Sequence, residues 1–233
     1  MPRIPLIEDL TRGPIPPGSN ILVEFDPASQ WFNASLTIAA GWVKDGGSVS
    51  YIADSQSPDD IRSQLRKLGL AVEELERTDR LWITDLYSAS IGQKSKERFA
   101  VESLKVADLS IWIGREAMVD SSAPEFLVIA DNNSILDRFN PERNWVELYL
   151  TRPIPMAKPR QITQLMGFVG GIHSTWAYKQ LEVAVDGIVD FKVDEVNGER
   201  KTFIGIRSMR NVHFDSRWHS LKIGEDFQVT LER

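Results

Sequence analysis

The segment Phe126-Leu127-Val128-Ile129-Ala130 is apolar at every position and ends at Asp131. A strand with one wet face alternates polar and apolar residues. An unbroken apolar run therefore marks a strand covered on both faces, as in a parallel sheet sandwiched between helices. The chain around it keeps a matching rhythm. Gly18 to Trp31 reads as a buried strand, a tight loop and the start of a helix, and Ser48 to Ala53 and Arg80 to Asp85 read as further strands. Between them, Trp31 to Val43 and the set Ile61, Leu65 and Leu68 carry apolar residues at helical spacing. Lys44-Asp45-Gly46-Gly47 closes the first of these helices with glycine, and Ser57-Pro58-Asp59-Asp60 opens the second with a capping serine, a first-turn proline and two acids. Gly92 to Arg98 is polar enough for an exposed connection, Asp108 to Met118 predicts a capped helix, and Ser134 to Phe139 starts another. Such alternation of strands and helices requires right-handed crossovers and a mostly parallel sheet.

The last third changes character. Val185 to Val193, Lys201 to Met209 and Phe227 to Leu231 read as strands, and Val196-Asn197-Gly198-Glu199 supplies an Asn-Gly hairpin turn. The expected fold class is therefore α/β, a three-layer domain whose central sheet is mostly parallel and ends in antiparallel strands. Residues 18–233 are expected to form this domain. Residues 1–17 are proline-rich and weakly periodic, readable as an extended arm packed on the domain or on a neighbour, or as a disordered tail.

Composition narrows the chemistry. With no cysteine among 233 residues, disulfides, thiolate nucleophiles and Cys-based metal sites are excluded. A formal net charge of −6 argues against a generally basic nucleic-acid-binding surface. No apolar run approaches the roughly 20 residues of a membrane-spanning helix, and Met1-Pro2-Arg3-Ile4-Pro5 is too interrupted for a signal segment. A cytoplasmic protein is expected. His173, His213 and His219 lack metal-ligand spacing in the sequence, and His173, after Gly170-Gly171, reads as structural. No metal site is expected from these spacings, and no nucleophile elbow is recognisable. Trp42, Trp82 and Trp112 fall in apolar periodic segments and read as core or interface residues, whereas Trp31, Trp176 and Trp218 lie near element ends, where they could anchor a partner.

The run Gly13-Pro14-Ile15-Pro16-Pro17-Gly18-Ser19-Asn20-Ile21-Leu22-Val23 resembles the "GGIPxGSxxLV" entry to the first strand of the KaiC/RadA-like branch of the RecA-superfamily ATPases. Further matches are Gly41, at the glycine closing the helix after the loop, Asp108-Leu109-Ser110, and Val185 to Val189, similar to "ADGVI". Arg207 to His213 is similar to "xKMRGTxH", so that the matches span roughly Gly13 to Ile223. The resemblance implies a RecA-like fold and also exposes departures from the family pattern. Glu24, Pro27 and Ser29 stand at loop-glycine positions, Gln30 at the lysine and Trp31 at the magnesium-binding Ser/Thr of the Walker A loop. A Gly-rich loop holds phosphate through its backbone N–H groups. Here those glycines and the lysine are missing, while Glu24 and Asp26 would repel a triphosphate. Ser55 and Gln56 replace the family's catalytic carboxylates, and strand alternation aims Asp54 at the other face. Asp131 fits the family's magnesium-associated acid, or simply caps the next helix or turn. Ser208 replaces the trans-acting lysine, while Arg210 and His213 are retained, either for a subunit boundary or, for Arg210, for a local carboxylate. Residues 151–161 depart from the helix usual in the family.

The resemblance and its departures together imply a pseudo-ATPase, a degenerate member with no catalytic residues and no ATP or magnesium cofactor. It would act as an oligomeric or regulatory binding subunit, in a homo-oligomer or a hetero-oligomer with a RecA-like relative. The alternative is a nucleic-acid-binding accessory protein of recombination, repair or tRNA modification. It draws on Arg152, Lys158 and Arg160, together with the basic run from Arg200 to Lys222. A residual ATPase with a rebuilt site is a third reading.

Overall fold

A computed structural model describes residues 2–114 and 125–232. Ten strands form one sheet in the order β10-β9-β8-β7-β1-β6-β5-β2-β3-β4. The parallel part comprises β1 (Asn20–Phe25), β2 (Ser48–Ala53), β3 (Leu81–Asp85), the short edge strand β4 (Phe99–Ala100), β5 (Phe126–Ala130), β6 (Ile162–Val169) and β7 (Gly187–Val196). β8 (Glu199–Met209), β9 (His219–Ile223) and β10 (Val229–Leu231) extend it antiparallel. The apolar run at 126–130 is a central strand, between β2 and β6. The hairpin also forms as expected, with Asn197 and Gly198 both at positive φ (56° and 81°), the geometry a two-residue I′ turn demands.

Helices cover both faces. α1 (Trp31–Lys44), α2 (Pro58–Lys67) and α3 (Val72–Arg77) pack with Ile21, Val23, Val49, Tyr51, Leu127, Ile129 and Leu165 on one face. The other face carries Leu22, Met166, Phe168 and Ile188. Against it pack α5 (Val106–Trp112), α6 (Glu142–Thr151), α7 (Pro153–Ala157) and α8 (Thr175–Ala184), while a single turn, α4 (Tyr87–Ser90), follows β3. α2 starts as expected, with the Ser57 hydroxyl accepting the Asp60 N–H at 3.2 Å and Pro58 in the first turn. The helix expected at Asp108 starts earlier, at Val106, without a side-chain cap, and the part of it beyond Gly114 lies outside the described residues. Ser134 to Phe139 belongs to a tighter element, a 3₁₀ helix over Asn133–Arg138. The 151–161 segment, whose sequence departs from the helix usual in the family, contains the short helix α7, admitted by Pro153 at its first position.

Residues 2–17 belong to the core of the same domain. Ile4, Leu6, Ile7, Leu10 and Ile15 are buried against α1, and the Glu8 carboxylate gathers the segment by accepting the N–H groups of Ile4 (2.8 Å) and Ile15 (2.6 Å). This packing also explains Gly41. It lies inside α1 and not at its end, and a Cβ there would come within 2.4 Å of the Pro5 ring.

Candidate functional site

In open α/β sheets ligands sit beyond the carboxyl ends of the strands. Here the ends of β1, β6, β5 and β2 lie side by side, and the turn from β1 into α1 is built around Asp26. Its carboxylate accepts the Ala28 N–H at 2.7 Å and its carbonyl accepts the Ser29 N–H at 2.8 Å. Two amides that a phosphate would need are therefore already bonded within the loop, and Pro27 has none to offer. Gln30 takes the N-cap position without a side-chain bond to the helix backbone, its amide oxygen accepting instead from Asn33 at 2.9 Å.

Trp31 is not at the surface. It is 2% exposed, donates its indole N–H to the Asp131 carbonyl at 2.7 Å, and packs between Phe25 and Phe191 with ring centroids 6.2 and 5.2 Å away. Gly167 on β6 makes the room: a Cβ there would lie 2.7 Å from the indole nitrogen and 2.3 Å from the Asp131 carbonyl. The expectation of a partner anchor at Trp31 is corrected by this burial. Trp176 and Trp218 are each 45% exposed.

Asp131 ties β5 to the end of β2. Its two carboxylate oxygens accept the Asp54 N–H at 3.2 Å and the Ser55 hydroxyl, so Ser55, at a carboxylate position of the family, serves as a donor. Burial raises the Asp131 carboxyl to about 6, and the Ser55 hydroxyl and neighbouring amides limit the rise. Asp54 is also buried, and neither carboxylate oxygen has a hydrogen-bond partner among the described residues. Burial, with the nearby Asp131 charge, pushes it well above the ordinary carboxylate range. It shares a largely apolar cavity of about 80 Å³ with Ser50, Ile52, Leu86 and Tyr149, on the face that strand alternation assigns it. Gln56, half-buried, lies in the turn before α2.

These two carboxyls make stability depend on pH. Both hold protons at a higher pH in the folded state than in the unfolded chain, so the folded state binds the excess from about pH 4 upward. Stability from this pair is complete below the unfolded value and is lost as pH rises through the folded values, about 6 for Asp131. Urea denaturation should give a higher midpoint at pH 5 than at pH 7.5, and Asp54→Asn should raise the pH 7.5 midpoint and flatten the slope. A variant midpoint below that of the wild type at pH 7.5 would contradict this assignment.

Glu24 lies in β1, not in the loop, and it is compensated. Arg207 of β8 reaches Glu24 at 3.0 Å and Glu182 at 2.7 Å and also bonds Asp190. Burial pushes the Glu24 and Asp190 carboxyls up while the guanidinium draws them back. Sequence reasoning did not single out Arg207 as the partner of Glu24. The available signal was that β1 and β8 both flank β7, where Asp190 sits opposite Glu24.

Ser208 is exposed on β8. Arg210, at the opposite end of the sheet from the β1–α1 turn, donates to the Val183 carbonyl at 2.7 Å in the last turn of α8, a helix-terminal role. The local partner is thus a carbonyl where a carboxylate was expected. His213 is exposed, and its carbonyl accepts the Arg12 N–H at 2.8 Å. Lys158 and Arg210 line one shallow groove of about 530 Å³ with Asn20 and Asp186, and Arg152 and Arg160 are exposed outside it. The basic run does not stay together. Arg217 pairs with Asp215 (2.6 Å), Lys201 with Glu232 (3.4 Å) and Arg207 with the acids above.

The sheet order and the two helical layers define a three-layer α/β domain with a mostly parallel central sheet. The chain belongs to the KaiC family: the family model described as "ATPase: KaiC" matches residues 3–231. A UPF0273 protein of Aeropyrum pernix is 25% identical over 234 residues, covering 94% of this chain and 88% of that protein. One from Saccharolobus solfataricus is 27% identical over 240 residues, covering 96% and 79%. Among solved structures, a KaiC-like protein of Pyrococcus horikoshii superposes with a TM-score of 0.75 at 18% identity, over 99% of this chain and 96% of that one, a likeness of fold alone. Among the described residues no helix is long and apolar enough to cross a membrane.

Proposed function

We propose that this KaiC-family domain has given up nucleotide turnover and works by binding, as a subunit of a homo-oligomer or beside a RecA-like relative that still hydrolyses ATP. The observation that carries the reading is the internally bonded phosphate loop. Asp26 takes the amides of Ala28 and Ser29, and the Trp31 indole stands on the Asp131 carbonyl where a hydroxyl and a magnesium ion would be needed. Both oxygens of Asp131 are likewise engaged by Ser55 and Asp54. Support for a binding role comes from α8, whose exposed Trp176 and Val183 lie seven residues apart on one side, with Ile172 just before the helix. The nucleic-acid reading has less to rest on, since Lys201, Arg207 and Arg217 of the basic run pair with acids.

The test has two arms. Calorimetric titration with ATP and magnesium should give no saturable binding up to about 1 mM, a concentration at which even a 4 kcal/mol interaction would register. Light scattering should show an oligomer at micromolar protein. Micromolar ATP affinity, or hydrolysis abolished by Asp131→Ala, would overturn the first claim, and a monomer at about 100 μM would overturn the homo-oligomer.

A further inference from the structure

The loop leaving β6 turns through Gly170-Gly171, with Gly171 at φ 77°, and places His173 where the 3₁₀ helix ends and α6 and α8 begin. The ring is enclosed by aromatic side chains: Trp145 lies 4.9 Å away between centroids, Tyr178 5.6 Å and Phe168 6.1 Å. None of the side chain is exposed. Its two nitrogens differ sharply. Nε2 lies 2.8 Å from the Ser134 hydroxyl, whereas Nδ1 is buried with no hydrogen-bond partner among the described residues.

Nδ1 is aimed at two carboxylates. Asp137 Oδ2 and Glu142 Oε1 are each 3.9 Å from it, too far to accept a proton from the ring. All three atoms lie within 4.8 Å of one another. Each is held by a second bond behind it. The Trp145 indole donates to Asp137 Oδ1 at 3.1 Å, the Ser174 N–H donates to Glu142 Oε1 at 2.7 Å, and the Ser174 hydroxyl donates to Oε2. On the histidine, Ser134 already accepts the Val169 N–H at 2.9 Å. If it also accepts from Nε2–H, its two lone pairs are used and the Nδ1 lone pair is left facing the acids. An outer acceptor that fixes the tautomer and outer donors that orient the carboxylates are what metal sites require.

We propose that His173 Nδ1, Asp137 Oδ2 and Glu142 Oε1 form a binding site for a divalent transition-metal ion of the zinc type. One imidazole with two carboxylates suits such an ion better than calcium or magnesium, which prefer all-oxygen shells. The separations are wider than the roughly 3.4 Å edge of a tetrahedron with bonds near 2.1 Å. The two acids, with side chains 43% and 27% exposed, are the members that would shift to close in, against the bonds that hold them behind. The exposed side of the acids leaves a fourth position for water. A bound ion would join the starts of α6 and α8 to the end of the 3₁₀ helix, independently of whether the nucleotide loop is active.

Untagged protein, stripped with a chelator, is to be titrated with Zn²⁺ against a chromophoric competitor, with metal content measured by mass spectrometry and the thermal midpoint followed in parallel. One equivalent should bind, and the midpoint should rise with it. Glu142→Gln and Asp137→Asn, at partly exposed positions, should each weaken binding about tenfold or more, while circular dichroism shows them folded. His173→Gln should abolish binding, but its buried ring makes it the harsher variant, so the two carboxylate variants decide. Absence of saturable Zn²⁺ binding below about 0.1 mM would overturn the proposal. Binding unchanged in both carboxylate variants would do the same, as would equal affinity for Mg²⁺.

Discussion

Trp31→Ala should destabilise the protein by about 3–5 kcal/mol, the range for emptying a buried aromatic site. The indole is sealed between Phe25 and Phe191, and Gly167, which faces it, has no side chain to move into the gap. Truncation also leaves the Asp131 carbonyl, at the end of a buried strand, without its indole donor. Trp31→Phe keeps most of the volume and loses the hydrogen bond with a smaller void, so its loss should be less, about 2 kcal/mol. Urea denaturation with an unchanged m-value would read both. If Trp31→Ala fell within about 1 kcal/mol of the wild type, the claim that the indole is a core element would fail.

Arg207→Ala should be the next most damaging change, at about 2 kcal/mol near pH 8. That is less than the 3–5 kcal/mol typical of a fully buried pair, because the Arg207 side chain is 40% exposed and water screens part of the field. The substitution leaves Glu24, Asp190 and Glu182, each under 20% exposed, with no guanidinium among them. Burial already raises Glu24 and Asp190 from their ordinary values, and removing the arginine raises them further. Their destabilisation is therefore present at high pH and fades as pH falls through their folded values. Glu24→Gln in the same background should recover part of the loss. A penalty that does not change between pH 8 and pH 5 would show that packing of the arginine stem matters more than its charge.

Local pattern carried far in this chain. β5 was legible because five consecutive apolar residues admit only a two-sided burial, and α2 because serine, proline and two acids in order satisfy the free amides at a helix start. The Asn197-Gly198 turn was equally plain, since few other pairs accept positive φ twice. β6 was not legible as a strand. It is buried along nearly its whole length, yet it contains Thr163, Gln164 and Gly167, which fit no apolar run. Gln164 is accommodated because its amide donates to the Pro153 carbonyl at 2.9 Å, and Gly167 because Trp31 needs the space.

The sequence by itself determined that β1, β2, β3, β5, β7 and β8 are strands, that α1 and α2 are helices, and that the sheet is mostly parallel. These features depend on neighbours within a few residues, where periodicity, caps and turns act. Only the tertiary structure decided that β6 enters between β1 and β5, that Arg207 meets Glu24 across 183 positions, and that His173 faces Asp137 and Glu142. Those meetings depend on strand register and crossover connections, which bring together residues whose local sequence carries no sign of the other.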